Sequence, residues 1–253
     1  MSDLTASAAT DVSGTPARCI LRRDGIDYHF PAPRERSAVL ARLFDLVVGG
    51  LLATLAAPIV VVVSIAIKLS SAGPVLFRQQ RACSRTRDLQ DATEIVEVRP
   101  FACLKFRTML VESDDTVHAT HIHAFINGSA LRSRSGGFKL EGDDRVTRVG
   151  RLLRRTSLDE LPQLVNVVRG EMSLVGPRPV PLYEVERYPA TALERLLVKP
   201  GMTGLWQVEA RGNASFEEMV RLDVDYIGRR SLLLDFWLLA RTFPAVLSGK
   251  GAA

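Results

Sequence analysis

No charged residue interrupts the chain from Leu46 to Ile67, a run of about 22 residues and long enough to cross a bilayer as a helix. Downstream the pattern shortens. After a turn at Gly73-Pro74, Val75-Leu76-Phe77 and then Phe101-Ala102-Cys103-Leu104-Lys105-Phe106 predict a pair of short strands, with Arg81 to Pro100 as a charged linker between them. From Asp144 the period becomes helical: Arg145, Arg148, Arg151 and Arg154 recur at every third position, and Val146, Val149 and Leu153 fall on another face. Gly150 counts against an unbroken helix there. Pro162 suits a first helical position and Gly170 a C-terminal cap, so a short helix is expected from Pro162 to Arg169. Leu232 to Arg241 is apolar bulk broken by Asp235 and Arg241, the pattern of an interfacial or core helix rather than a second span. Residues 1 to about 37 are rich in small and polar residues and read as a tail, within which Cys19-Ile20-Leu21 and Ile26 to Phe30 are candidate short strands.

The apolar run carries Pro58 near its middle, where a lost backbone hydrogen bond and a ring clash kink or break a helix. Arg34, Arg36 and Arg42 precede the run, and Lys68, Arg78, Arg81, Arg85 and Arg87 follow it. Positive residues stay in the cytoplasm. A single span would export one of these clusters, whereas a helix that enters and leaves one leaflet keeps both. The residues alone leave the two topologies open. A cleaved signal peptide is not expected, because the run starts well into the chain and leads directly into the domain.

With 253 residues, one catalytic domain and an anchor are the simplest division. The net charge of +5 and a pI near 9.4 point to anionic partners. Aromatics make up only 6% of the chain and no helix-turn-helix, zinc-finger or RNA-recognition signature is present, which favours phosphates and lipid head groups over nucleic acid. Three cysteines, Cys19, Cys83 and Cys103, without paired spacing suggest reduced thiols in a cytoplasmic compartment.

The candidate chemistry centres on Asp159-Glu160, directly before Pro162. A helix N-terminus favours ionised carboxylates. Two such neighbours suit holding a divalent cation, or dividing nucleophile and metal duties. Ser157 and Glu160 also fit a Ser-x-x-Glu capping box, in which the acids only satisfy backbone donors. Pro162 weakens that alternative, because with Ser157 as the cap it needs an N–H it does not have. In Gly176-Pro177-Arg178-Pro179, Pro177 and Pro179 fix the backbone around an arginine able to grip a phosphate or stack on a base, or simply form a turn. Alternation along a strand places Lys105 and Arg107 on one face, as diphosphate ligands or as solvated charges. His118, His121 and His123 lack a zinc-protease motif and nearby cysteine ligands. Gly249-Lys250-Gly251 is too short for a phosphate-binding loop.

The run from Asp144 to Leu164, with Arg145-Val146-Thr147-Arg148-Val149-Gly150 at its start and Ser157-Leu158-Asp159-Glu160-Leu161-Pro162-Gln163-Leu164 at its end, closely resembles the bacterial sugar transferase family, the monotopic polyprenyl-phosphate phosphoglycosyl transferases. Met172-Ser173-Leu174-Val175-Gly176-Pro177-Arg178-Pro179, Lys105-Phe106-Arg107-Thr108-Met109, Lys199-Pro200-Gly201-Met202-Thr203-Gly204-Leu205-Trp206-Gln207-Val208 and Asp223-Val224-Asp225-Tyr226-Ile227 extend the resemblance from about Arg42 to Gly251. It implies an α+β fold, a mostly helical small catalytic domain with short strands attached to an N-terminal re-entrant membrane helix. The corresponding division is a tail over 1–37, the membrane helix over 38–69 and a cytosolic domain over 70–253.

The resemblance further implies transfer of a sugar-1-phosphate from a UDP-sugar to undecaprenyl phosphate through a phosphosugar-aspartyl intermediate, releasing UMP and starting an exopolysaccharide or other surface glycan. Asp159 is then the nucleophile and Glu160 helps position Mg2+, while Lys105, Arg107, Arg145 and Arg178, with Pro177 and Pro179, meet the anionic substrate. Inner-membrane lipids are implied partners, nucleic acid is not, and a homodimer is left open. The implied location is the bacterial inner membrane with the catalytic domain on its cytoplasmic face. Ala57-Pro58 departs from the family's Ser-Pro break, Asp143-Asp144-Arg145 from its Asp-Pro-Arg, and the Arg81 to Pro100 linker from its short turn. A transferase that moves only the sugar and releases UDP, and a non-catalytic membrane adaptor, are the competing readings.

Overall fold

The computed structural model describes residues 18–23, 26–88, 94–110, 116–127, 145–210 and 214–247. Four strands form a mixed sheet in the order β2-β1-β4-β3: β1 (Arg18–Arg23), β2 (Ile26–Pro31), β3 (Leu76–Asp88) and β4 (Glu94–Phe106). β3 and β4 pair antiparallel from Leu76 opposite Phe106 to Asp88 opposite Glu94. The stretch expected as a charged linker is therefore mostly strand. Its charges do not oppose this, because the register sets Arg85 opposite Glu97, a pairing that favours the ladder.

β1 joins β4 in parallel, with Leu21 opposite Val96, and Cys19, Leu21 and Val96 are wholly buried. Residues 18–31, expected within the tail, thus belong to the domain's sheet; residues 1–17 lie outside the described residues. A second, two-stranded parallel sheet pairs β5 (Ser173–Val175) with β6 (Gly201–Thr203). Helix outweighs strand, in keeping with a mostly helical α+β domain, but β3 and β4 are 13 residues each rather than short.

The apolar run forms the centre of α1 (Ala38–Ser70), whose N-terminus is capped by the Ser37 hydroxyl accepting from the Leu40 N–H at 3.3 Å. α1 continues through Pro58 as one helix, so the break implied by the family resemblance is not present. Ala41, Asp45, Gly49, Ala56, Val63 and Ile67 form a buried stripe, while Val39, Leu43, Val47, Leu51, Leu55, Val61 and Val62 remain exposed. Helical spacing of four and seven explains the stripe.

Polar contacts fasten both ends of α1 to the domain. Arg42 donates to the Val167 and Val168 carbonyls at 2.7 and 2.6 Å, and the Asp45 carboxylate accepts from Ser173 Oγ and the Leu174 N–H, both at 2.9 Å. Arg36 contacts Asp235, which also accepts from the Tyr226 hydroxyl at 2.7 Å. At the far end Arg107 donates to the Ser71 carbonyl at 2.8 Å and to that of Ala72.

The remaining helices are α2 (Thr116–Ile126), α3 (Arg148–Thr156), α4 (Gln163–Arg169), α5 (Leu182–Val185), α6 (Leu205–Glu209), α7 (Phe216–Arg229) and α8 (Leu232–Leu247). α3 starts later than the arginine period suggests. Thr147 caps it, accepting from the Gly150 N–H at 2.9 Å, and Arg145 lies in the preceding turn, where its carbonyl accepts from the Leu110 N–H at 3.0 Å. Gly150 is needed rather than merely tolerated, since a Cβ there falls 2.0 Å from the Thr108 carbonyl oxygen. α4 matches its expected span, with Gly170 closing it at φ 81°. In α8, Asp235 and Leu238 are buried while Leu233, Phe236 and Trp237 are exposed.

The main core joins β1, β4, α4 and the C-terminal helices through residues such as Leu164, Val167, Leu174, Trp206, Phe216 and Tyr226. A smaller cluster of Val63, Ile67, Phe106 and Leu153 seals the C-terminal half of α1 against β4 and α3. A buried polar group lies under α7: Arg195 Nη2 approaches Asp223 Oδ2 to 2.6 Å, and Arg195 Nη1 donates to the Tyr188 hydroxyl at 3.0 Å.

Candidate active site

Asp159 and Glu160 occupy a single 3-10 turn, Leu158–Glu160, between α3 and α4. Ser157 ends α3 in the left-handed conformation at φ 56°, its N–H bonded to the Arg154 carbonyl at 3.2 Å. A reversal at that point turns the chain into the 3-10 turn, and Pro162 follows in helical conformation at φ −61° to start α4. The capping-box alternative does not hold, because Ser157 makes no side-chain capping bond. The pair sits where the sequence placed it, ahead of α4, but the intervening turn makes Asp159 buried and leaves the Glu160 side chain 22% exposed.

Two basic side chains from separate elements meet Glu160 Oε1: Lys105 Nζ from β4 at 2.8 Å, and Arg178 Nη1 from the loop after β5 at 3.6 Å. Burial works against the Glu160 charge. Lys105 and then Arg178 outweigh it, and the carboxyl is held well below the ordinary carboxylate range. A half-buried acid that stays ionised between two cations is arranged for an anionic ligand, because those cations can be shared with an incoming phosphate.

Lys105 owes its position to Asn166, which is fully buried in α4. Asn166 Oδ1 accepts from the Leu104 N–H at 3.0 Å and its Nδ2 donates to the Ala102 carbonyl at 2.9 Å, tying α4 to the edge of β4 beside Lys105. Arg178 is positioned by the backbone of its proline-rich loop. The Gly201 N–H donates to the Pro177 carbonyl at 2.8 Å and the Ala82 N–H to that of Val180, also at 2.8 Å. Arg81, buried in β3, contacts the Pro179 carbonyl and donates to Gln79 Oε1 at 2.8 Å. Beneath this loop Glu184 is raised by burial, against the pull of Arg81, Arg195 and Arg178.

Over residues 36–249 the chain matches the profile described as bacterial sugar transferase. It is 36% identical over 221 residues to exopolysaccharide production protein ExoY of Rhizobium meliloti (strain 1021), covering 87% of this chain and 91% of that protein. It is 40% identical over 232 residues to the UDP-glucose:undecaprenyl-phosphate glucose-1-phosphate transferase of Caulobacter vibrioides, covering 88% of this chain and 75% of that protein. With the undecaprenyl-phosphate galactose phosphotransferase of Salmonella typhimurium it shares 36% over 220 residues, 87% of this chain but 43% of that longer protein. The chain belongs to the bacterial sugar transferase family.

For this sugar transferase the structure gathers Asp159, Glu160, Lys105 and Arg178 into one site and separates Arg107 from it. Arg107 is buried and directed to the end of α1 rather than to the carboxylate pair, because its position just past the end of β4 lies beside the Ser71 and Ala72 carbonyls left open by the helix terminus. Arg145 is half-buried in the turn before α3. Asp143 and Asp144 lie outside the described residues, as does Gly249-Lys250-Gly251.

Of the histidines, His118, His121 and His123 fall in α2, and His123 is exposed. Among the described residues no three His, Cys, Asp or Glu side chains converge as a metal site. Asp159 and Glu160, adjacent on one turn, are the carboxylates of the site that could hold a divalent cation such as Mg2+, which takes one or two carboxylates completed by substrate phosphates and water. None of the three cysteines is in a disulfide, and burial pushes the Cys83 thiol up to about 11, which makes it unreactive. Sequence reasoning missed Arg81 and Asn166. Arg81 was absorbed into a linker, and its signal was the strand alternation with Gln79.

Proposed function

We propose that this phosphoglycosyl transferase moves a sugar-1-phosphate from a UDP-sugar to undecaprenyl phosphate, an opening step of exopolysaccharide assembly. The observation that carries the reading is the buried Asp159 beside a Glu160 held ionised by Lys105 and Arg178. The names of the Caulobacter and Salmonella relatives support the acceptor and the transferred group.

In the first half-reaction an Asp159 carboxylate oxygen attacks the sugar-proximal phosphorus of the donor. A P–O bond forms to Asp159, the bridging P–O bond breaks, and UMP leaves with the bridging oxygen. In the second, a phosphate oxygen of undecaprenyl phosphate attacks the same phosphorus and Asp159 departs as a carboxylate. Lys105 and Arg178 offset the repulsion between a carboxylate and a diphosphate, and their fixed positions reduce reorganisation during the reaction. Mg2+, held by Asp159 and Glu160, would neutralise diphosphate charge when bound.

The same reading places the domain on the cytoplasmic face, with both ends of α1 held on that side. Support comes from the two ends of α1. Asp45 and Ile67 are about 33 Å apart along a helix at 1.5 Å per residue, roughly the thickness of the hydrocarbon core, yet both are buried against one domain.

Asp159→Asn keeps the size of the side chain and removes the attacking charge, so transfer should fall by about 10⁴-fold with the fold intact. The wild type should exchange labelled UMP into the UDP-sugar without acceptor. Near-normal turnover of the asparagine variant, with deamidation excluded by mass spectrometry, abolishes the covalent scheme. Release of UDP instead of UMP identifies a sugar-only transferase.

A further inference from the structure

The four-stranded sheet ends in β2 on one side and β3 on the other. The β3 edge is engaged: the Ala82 N–H donates to the Val180 carbonyl at 2.8 Å, and Arg81 forms a β-bridge with Pro181. Among the described residues β2 pairs only with β1. Exposed edge strands are ordinarily blunted by lysine, an internal proline or a bulge. β2 has none of these, since its six residues run in unbroken register and Pro31 stands only at the end. It also precedes residues 36–249, the part matched to the family profile.

Opposed residues of an antiparallel pair alternate between exchanging backbone hydrogen bonds and turning those groups outward. Two residues separate Arg23 from Ile26, so that closing pair is of the first kind and Asp27, His29 and Pro31 are of the second. Pro31 suits the outward set because it has no N–H to offer β1. The Asp27 and His29 side chains are exposed on one face. On the other face Tyr28 and Phe30 pack against the core, while Ile26 beside them is 55% exposed.

These outward groups can pair with their own counterparts in few registers, and the side chains select one. Asp27 opposite a second Asp27 sets like charges together. His29 opposite a second His29 puts Asp27 against Pro31, which cannot donate. Tyr28 opposite Tyr28 has neither fault. Asp27 of each copy then exchanges backbone bonds with His29 of the other, and its carboxylate meets an imidazole able to donate to it. That carboxylate has lone pairs to spare, since Arg22 Nε and Nη2 take one on each oxygen, at 2.7 and 2.8 Å. On the core face Ile26 comes to lie opposite Phe30, covering apolar surface that one copy leaves open. We propose that a second copy of this chain occupies the β2 edge, the two β2 strands running antiparallel and joining both sheets into one. The assembly closes at a homodimer because the β3 edges are engaged. The pairing does not depend on the reaction the enzyme performs.

The register is tested on the full chain in membranes, with Cys19, Cys83 and Cys103 replaced by alanine. Mild oxidation should link Tyr28→Cys into a disulfide dimer, because facing residues bring their Cβ atoms to about 4.5–5.5 Å. Asp27→Cys and His29→Cys each stand two residues away from their own counterparts and should link at least about tenfold less. No linkage at Tyr28→Cys, or linkage no stronger there than at its two neighbours, would overturn the proposal.

A second measurement keeps Tyr28 in place. In detergent micelles, with the detergent subtracted from the light-scattering mass, the wild type should have twice the 27.8 kDa of one chain. His29→Pro deletes an outward N–H, and His29→Glu sets a like charge opposite Asp27. Each should raise the dimer dissociation constant at least about tenfold, whereas His29→Ala keeps the N–H and should stay within about threefold of the wild type. If His29→Pro does not fold, His29→Glu decides. A monomeric wild type, or wild-type dimerisation by His29→Glu, would place any contact between copies elsewhere and overturn the assignment.

Discussion

Glu160 shows how a single carboxyl can be driven in opposite directions. Burial alone raises its proton affinity, and the Lys105 ammonium at 2.8 Å, helped by Arg178, reverses the outcome. The folded-state pKa is therefore depressed below the unfolded value of 4.5, so the interaction contributes stability above that value and loses it as pH falls through the folded pKa. Lys105→Met removes the larger opposing charge and leaves the burial. The acid limb of the pH profile for UMP exchange should then move to higher pH, and an unmoved limb would show that Lys105 does not control the Glu160 charge. Arg107, two residues on and just past the end of β4, makes no comparable contribution because its guanidinium is committed to the end of α1.

At the scale of elements, the geometry of the carboxylate turn depends on how closely α3 approaches the end of β4. Gly150 permits that approach, and Arg154 Nε donates to Thr108 Oγ1 at 2.9 Å one turn later. Alanine is the better helix former by about 1 kcal/mol. Its methyl group, however, would be forced onto the Thr108 carbonyl at 2.0 Å, and overpacking of this kind costs about 1–3 kcal/mol. Gly150→Ala should therefore lower the thermal midpoint and slow UMP exchange, since displacement of α3 carries Ser157 and Asp159 with it. A rise in thermal midpoint would mean that helix propensity outweighs the contact. The expectation of a weakened helix at Gly150 failed because periodicity and propensity describe an isolated helix, and the requirement for glycine comes from the neighbouring segment that follows β4.

For the molecule as a whole, the decisive arrangement is that α1 lies along the domain with a buried stripe running from Ala41 to Ile67. If both ends remain on the cytoplasmic side, a cysteine in the tail at Ser13→Cys and one on the exposed surface of α7 at Glu217→Cys should both resist a membrane-impermeant thiol reagent in intact cells and react after lysis. The background for this measurement replaces Cys19, Cys83 and Cys103 with alanine. Labelling of the tail from outside would make α1 a simple span and would require the Arg42 and Asp45 contacts with the domain to be broken.

The sequence by itself determined the elements whose signals are local. The uncharged run, the short helix between Pro162 and its Gly170 cap, the adjacency of Asp159 and Glu160, and the family to which the chain belongs all follow from neighbouring residues and their order. Tertiary structure decided which charges meet. Lys105 and Arg107 share a strand face by alternation, yet Asn166 aligns the first with Glu160 while an open helix terminus captures the second. The long β3-β4 hairpin was hidden for a related reason: its charges read as solvated linker until cross-strand register pairs them and β1 covers β4. Arg81 became a support for the Arg178 loop only when the fold brought the Pro179 carbonyl to it across 98 residues of chain. Contacts over such separations depend on the packing of whole elements, which no window of the sequence contains.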